Sequence, residues 1–166
     1  ARAMVALDPK AKILVVGAEI LTSRTNWKDR STCVLFGDGA GAAIVASADA
    51  YPDHPTIRDI QLGSDGSSAS LLTVYGGATM HPMTHGDTPD ERFFIQMEGN
   101  EVFKKAVRTL EAACVQVLES NNMELSEVTK LVPHQANLRI IEALARRIGL
   151  SSEDIYINLD KYGNTS

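Results

Sequence analysis

The order of apolar and polar positions divides the chain into alternating blocks. Lys12 to Leu21 (KILVVGAEIL) is a nearly continuous apolar run, which predicts a strand buried on both faces of a covered sheet. Thr32 to Ala46 (TCVLFGDGAGAAIVA) predicts a strand, a glycine-rich turn and a second strand. Thr56 to Leu62 (TIRDIQL) alternates as strands do, and Phe93 to Met97 predicts a short apolar strand. From Gly99 to Asn121, the residues Phe103, Ala106, Val107, Leu110, Cys114, Val117 and Leu118 recur at three- and four-residue spacing. This is the clearest helix, and Asn121 and Asn122 stop it. Lys130 to Pro133 (KLVP) predicts a strand, and Asn137 to Ile148 a helix ended by Gly149. That helix sets Leu138, Ile141, Ala145 and Ile148 inward, with Arg139 and Arg146 on another face and Arg147 beside them. Ser151 with Asp154 resembles a capping box for one more helical turn, and Ile155 to Leu159 is the last strand.

The polar stretches lie between these blocks. Ser23 to Arg30 is a charged loop around Trp27, and Ser47 to His54 reads as the join between two halves. Gly63 to Glu91 is rich in Gly, Ser, Thr, Pro and His, and a segment of that length has a job or is an insertion. Gly37, Gly39 and Ala42 formally match GxGxxA, but a β-like AAIVA follows where dinucleotide binding needs a helix. These glycines instead mark a sharp turn or a close backbone approach, with Asp38 placed to hold that turn.

Composition narrows the classes. A net charge of −5 argues against general nucleic-acid binding. No apolar run approaches the ~20 residues of a membrane span, and two cysteines do not make a disulfide framework, so a cytoplasmic protein is expected. His81 and His85 sit four apart, but Pro82 and Gly86 argue against a helix and no acidic or Cys partner has ligand spacing. No metal site is expected. Cys114 sits on the apolar face of a helix, and Cys33 inside a strand pattern, so neither has the setting of a nucleophilic thiol.

The chemistry concentrates at two places. His134 follows the strand KLVP and precedes a helix, and Asn164 follows the last strand in YGNTS. If the two strands are parallel neighbours, both residues open into one crevice. A neutral imidazole and an amide are both uncharged donors, suited to stabilising an oxyanion or enolate. A capping histidine and a turn asparagine account for the same spacing equally well.

With VPHQANLRII, GNTS, LFGDGAGAA and MEGNEVFK taken together, the chain resembles the β-ketoacyl-[acyl-carrier-protein] synthase III family of thiolase-like condensing enzymes. The resemblance runs from about Lys12 to Ser166 and weakens over residues 63–92; HQAN followed by GNTS is its specific part. It implies an α/β fold, the thiolase-like duplicated five-layer α/β/α/β/α sandwich, of which this chain is an incomplete part. Residues 1–50 would end the N-terminal half and residues 51–166 would form most of the C-terminal half. It further implies an acyltransferase that starts fatty-acid synthesis. In that family a cysteine takes an acyl group from acyl-CoA, with acetyl-CoA the expected starter here. Malonyl on acyl carrier protein then loses CO₂ and attacks the acyl-cysteine.

By motif, His134 and Asn164 match the catalytic histidine and asparagine. The family's nucleophilic cysteine matches neither Cys33 nor Cys114 and is expected upstream of Lys12. The glycine-rich closing segment after GNTS is also missing, so the chain is expected to be inactive alone and part of a longer enzyme. Arg30 matches the arginine that packs on the CoA adenine. Gly99, Asn100, Phe103, Ala136 and Asn137 match positions along the pantetheine arm; Leu21, Phe36 and Ile95 would shape the acyl pocket. Lys104, Arg139, Arg146 and Arg147 match a basic patch for the acidic carrier protein. The resemblance also implies a homodimer, with no permanently bound cofactor, acyl-CoA as substrate, and no nucleic-acid or membrane partner. Two other readings stand beside it. One is a sister condensing enzyme of polyketide- or quinolone-type metabolism; the other is a non-catalytic acyl-binding or scaffolding fragment.

Overall fold

A computed structural model describes residues 1–166. After a short helix α1 (Arg2–Leu7), β1 (Ile13–Ile20) and β2 (Asp38–Val45) form an antiparallel pair, in register from Ile13–Val45 to Ile20–Asp38. A second, minimal pair joins β3 (Leu72–Thr73) to β4 (Gln96–Met97). The helices α2 (Gly99–Ser120) and α3 (Leu138–Ile148) pack on each other, and α4 (Leu159–Tyr162) is a single turn before the last residues.

The core sits under α3. Asn137 opens this helix by accepting the Arg139 N–H on Oδ1 at 2.9 Å, and Gly149 closes it in the left-handed region at φ 79°. Ile140, Ile141, Leu144 and Ala145 are its buried stripe, with Leu144 fully inaccessible. Ile141 and Ala145 meet Ile155, flanked by Leu131, Leu150 and Leu159. Burying each branched aliphatic side chain stabilises by roughly 1.5–3 kcal/mol. The stripe is rotated from the predicted face: Leu138, at the first helical position, is exposed. On α2 only Val107 is fully buried, and the helix ends as expected, with Asn121 as cap and Asn122 at φ 51°.

Several predicted elements differ. The apolar run of β1 forms its strand, but Leu14, Val16, Ile20 and, on β2, Ile44 remain exposed, because only two strands pair and no further layer covers them here. The glycine-rich stretch is strand, not turn: Gly39 and Gly41 lie inside β2, while Cys33 sits in a turn that precedes it. Asp38 does hold a turn, but across the pair, accepting from Thr22 N at 2.8 Å and Thr22 Oγ1 at 2.6 Å. Both bonds favour its carboxylate and lower its pKa. Thr56–Leu62 is not a strand; its backbone has no ladder partner, and Asp59 instead bonds Ser120 and Asn121 at the end of α2. The strand expected over Phe93–Met97 shortens to β4, since Asp90 caps a helical turn at Glu91–Phe93. The strands KLVP and Ile155–Leu159 shrink to one parallel bridge, Leu131 to Ile155. Pro133 has no N–H for the next rung, and α4 begins at Leu159.

The long segment 63–91 is tied down by specific contacts. Asp65 caps the turn Gly66–Leu71 and pairs with Lys105 on α2 at 2.6 Å. The Lys105 bond, with help from Ser67, brings the Asp65 carboxyl down to about 2, so it stays ionised at neutral and mildly acidic pH. Arg24 lays its guanidinium 3.9 Å from the Phe93 ring centroid, and its carbonyl accepts the Ile95 N–H at 2.8 Å.

The segment entering β2 meets the last residues at glycines. Phe36 and Asn164 form a parallel bridge, and a Cβ at Gly37 would overlap the carbonyl oxygen of Tyr162. Gly37→Ala should therefore lower unfolding stability by ~1–3 kcal/mol or more, whereas Gly66→Ala, which meets nothing within 4 Å, should be near neutral. Thermal melts of the two variants check this. Equal melting temperatures would mean that the close approach at Gly37 does not matter.

Candidate active site

Two strand exits carry the site. Leu131 N donates to Asp154 O at 2.8 Å, and Tyr156 N donates to Leu131 O at 2.9 Å. This parallel pairing sends both chains out at the same end, where α/β folds keep their chemistry. His134 leaves at once, between buried Pro133 and the turn in which Ala136 N donates to His134 O at 2.9 Å. Its side chain stands on the outside of the turn, yet its ring is partly shielded by protein. That burial disfavours the imidazolium and lowers the His134 pKa below the ordinary histidine value. A neutral imidazole is the form that donates without carrying charge.

Asn164 arrives through α4 and is 9% exposed. Its N–H donates to Leu35 O and its C=O accepts from Gly37 N, each at 2.9 Å. Its Oδ1 accepts the Ser166 N–H at 3.1 Å, which leaves Nδ2 as the outward donor. The bridge also sets Phe36, named above for the acyl pocket, beside Asn164. The other two pocket residues are drawn together through Arg24: Leu21 opens its turn, and Ile95, which is buried, donates to its carbonyl.

Arg30 is exposed on a turn that Asp29 locks by accepting from Ser31 N, Ser31 Oγ and Thr32 Oγ1 at 2.7–2.9 Å. Those bonds, Ser31's first, lower the Asp29 pKa and keep it ionised. Gly99 and Asn100 are exposed on the first turn of α2. Phe103 lies under Arg139, whose guanidinium carbon is 5.6 Å from the ring centroid, so one predicted arm residue and one predicted docking residue meet across α2 and α3. Asn137 serves as the cap of α3 and Ala136 is half-buried. Among the cations predicted for docking, Lys104 pairs with Glu101 at 2.7 Å and Arg147 with Glu111 at 2.6 Å, while Arg146 is exposed and outside any ion pair.

A cavity of about 810 Å³ is lined by Arg2, Lys12, Tyr51 and His54 among others, and contains no predicted site residue. Burial pushes the Cys114 thiol up, toward the unreactive form. His81 lies 3.4 Å from Arg92 Nη1, which pairs with Asp90. Sequence reasoning overlooked the work of Gln135, whose side chain bonds Pro133, Tyr156 and Asn158. The available signal was a proline at a strand end with an amide side chain two residues on.

Comparison with known proteins bears on this arrangement. Residues 1–66 match the family description 3-oxoacyl-[acyl-carrier-protein (ACP)] synthase III, and residues 118–166 match its C-terminal counterpart. The chain is 49% identical over 166 residues to β-ketoacyl-[acyl-carrier-protein] synthase III of Oleidesulfovibrio alaskensis, covering all of this chain and 50% of that protein. It superposes with a TM-score of 0.80, at 39% identity, on the synthase III crystal structure from Thermus thermophilus, again covering all of this chain and 50% of the other. The priming β-ketosynthase of the R1128 polyketide pathway gives a TM-score of 0.72 at 32% identity, covering 93% of this chain and 44% of that one. The chain thus spans about half the length of the relatives it matches. From both of its ends inward, and in its α/β fold, it belongs to the 3-oxoacyl-[acyl-carrier-protein] synthase III family.

Proposed function

We propose that this chain is the stabilising half of the active site of a longer acyltransferase, which condenses an acyl-CoA starter with malonyl-[acyl-carrier-protein] to begin fatty-acid synthesis. The observation that carries the reading is that His134 and Asn164, one with a lowered pKa and one an amide, follow the two segments joined in parallel at Leu131 and Ile155, in a chain with these relatives. Loss of CO₂ from the malonyl group leaves negative charge on the thioester oxygen. A neutral imidazole N–H and an amide N–H would each offer that oxygen a hydrogen bond. The cysteine that carries the starter lies outside this chain, and neither Cys33 nor Cys114 takes its role. The uncovered apolar faces of β1 and β2 support a larger protein, since exposed patches of this kind mark surfaces that something else covers.

Residues 1–50 belong to the N-terminal half of that enzyme and residues 51–166 to its C-terminal half. Arg30 stacks on the CoA adenine. Gly99, Asn100, Phe103, Ala136 and Asn137 flank the pantetheine arm, and Leu21, Phe36 and Ile95 face the acyl group. Acetyl-CoA is the starter, no cofactor is held permanently, and the working form is a cytoplasmic homodimer. No helix here is long and apolar enough to cross a membrane. The likeness to a priming β-ketosynthase of polyketide synthesis favours a second reading, in which a different starter enters the same chemistry.

Three tests apply to the full-length protein. His134→Ala and Asn164→Ala should each slow decarboxylation of malonyl-carrier protein by ~10²–10³, while acyl transfer from acyl-CoA changes less; CO₂ release measures the first, and unchanged release in either variant would remove that residue from the reaction. The pH profile follows from the lowered His134 pKa. Full decarboxylation is expected at neutral pH, with loss only as pH falls below about 6.5 and the ring takes a proton. Because the unfolded chain binds that proton more readily, folding stability should fall over the same acidic range. An acid limb centred above pH ~7 would contradict a neutral His134. Finally, Arg139→Glu with Arg146→Glu should raise KM for the carrier substrate and leave KM for acyl-CoA unchanged, and an equal effect on both would count against docking at α3.

A further inference from the structure

Past the Leu131 rung, the parallel ladder has a gap. The same pattern two residues on requires residue 133 to donate to Tyr156 O and to accept from Asn158 N. Residue 133 is proline and has no N–H to give. The Gln135 side chain occupies both places. Its Nε2 donates to Tyr156 O at 3.0 Å and to Pro133 O at 3.1 Å, and its Oε1 accepts from Asn158 N at 2.9 Å. The orientation of the amide is forced, because two of its neighbours are carbonyl oxygens and the third is a backbone N–H.

We propose that Gln135 is a positioning residue: its side-chain amide replaces the peptide group that Pro133 cannot supply, and thereby sets His134 against the strand that leads to Asn164. The primary amide has a peptide's donor and acceptor on one rigid plane, so it completes the rung while keeping the strand ends a side chain apart. An ordinary residue at 133 would let the strands pair directly, and the chain would continue as strand through 134. With proline and glutamine together, the ladder stops and His134 turns outward between them. Without the amide, Tyr156 O and Pro133 O would lose their donor and Asn158 N its acceptor, and the partly buried Pro133 O and Asn158 N left unpaired would favour rearrangement. The segment that would shift runs through Asn158 into α4 and so to Asn164. This inference rests on the joint role of His134 and Asn164 proposed above.

The test uses the full-length enzyme with Gln135→Met and Gln135→Glu, beside His134→Ala. Methionine keeps the length and removes both donors and the acceptor. Glutamate keeps the acceptor but sets a carboxylate oxygen against two carbonyls, unless it takes a proton. Decarboxylation of malonyl-carrier protein should fall ~10- to 100-fold in Gln135→Met, since small misplacements of a catalytic group carry losses of that order. Both KM values and the rate of acyl transfer from acyl-CoA should stay within about twofold of the parent. Gln135→Glu should lose more at about pH 8 and recover, relative to the parent at the same pH, toward about pH 6, as the carboxyl becomes a donor again. Decarboxylation by Gln135→Met within about twofold of the parent would overturn the role of Gln135, and so would parallel losses of decarboxylation, acyl transfer and melting temperature. A normal Gln135→Met beside an inactive His134→Ala overturns this inference alone. Normal decarboxylation by His134→Ala overturns the reading beneath it.

Discussion

Two hydrogen bonds between backbones seat Asn164, and the rest of the site depends on them. Asn164 N reaches Leu35 O and Gly37 N reaches Asn164 O, which joins the last residues to the segment entering β2. They form only because two glycines face each other. Gly37 has no Cβ to strike Tyr162 O, and Gly163 turns the chain at φ 68°, where a Cβ would crowd Leu35 O and Gly37 N. Once the backbone is held there, Ser166 N takes up Oδ1 and the amide donor has one direction left. The glycine-rich motif thus acts at a distance of more than a hundred residues along the chain, as a landing surface for Asn164 rather than as a turn.

The histidine is held by a different device. A buried proline ends the ladder, the Gln135 amide bridges the gap it leaves, and His134 is carried between them at the head of α3. Behind it, α3 is anchored by Ile141, Leu144 and Ala145, so the turn is backed by the best-buried part of the molecule. Partial shielding lowers the pKa of the ring and favours its uncharged form. Such donors answer charge that appears during a reaction without attracting a water-bound anion beforehand. The basic residues divide along similar lines. Lys104 and Arg147 are occupied by carboxylates of their own helix or its neighbour, and Arg139 rests on Phe103. Arg146 is exposed and outside any ion pair.

Periodicity located the long elements well: β1, α2 and α3 lie where the apolar spacing puts them, and the parallel relation of the two strands before His134 and Asn164 is present. It did less well wherever one residue's missing or extra group decides the structure. Pro133 cuts KLVP to one rung, Asp90 converts the start of Phe93–Met97 into a helical turn, and TIRDIQL alternates but finds no neighbour to pair with. Gly37 and Gly39 looked like a turn because local propensity disfavours glycine in strands; Gly37 makes room for the Tyr162–Gly163 backbone and Gly39 for the Thr165 side chain, contacts that no local window contains. The burial expected for β1 fails in this chain for a related reason. Strand burial is a property of layers, and the chain has only the pair β1–β2 there. His134 and Asn164 were legible as motifs, but the links that orient them, Gln135 and the Gly37–Gly163 contact, became visible only in three dimensions.

The central claim is that His134 and Asn164 Nδ2 meet on one oxygen. The most direct measurement is a crystal structure of the full-length protein bound to a malonyl thioester analogue that cannot lose CO₂. The account predicts the His134 ring nitrogen and Asn164 Nδ2 each at hydrogen-bond distance, ~2.7–3.2 Å, from the thioester carbonyl oxygen. An analogue whose carbonyl oxygen is held by other groups, with either residue beyond ~4 Å, would contradict it.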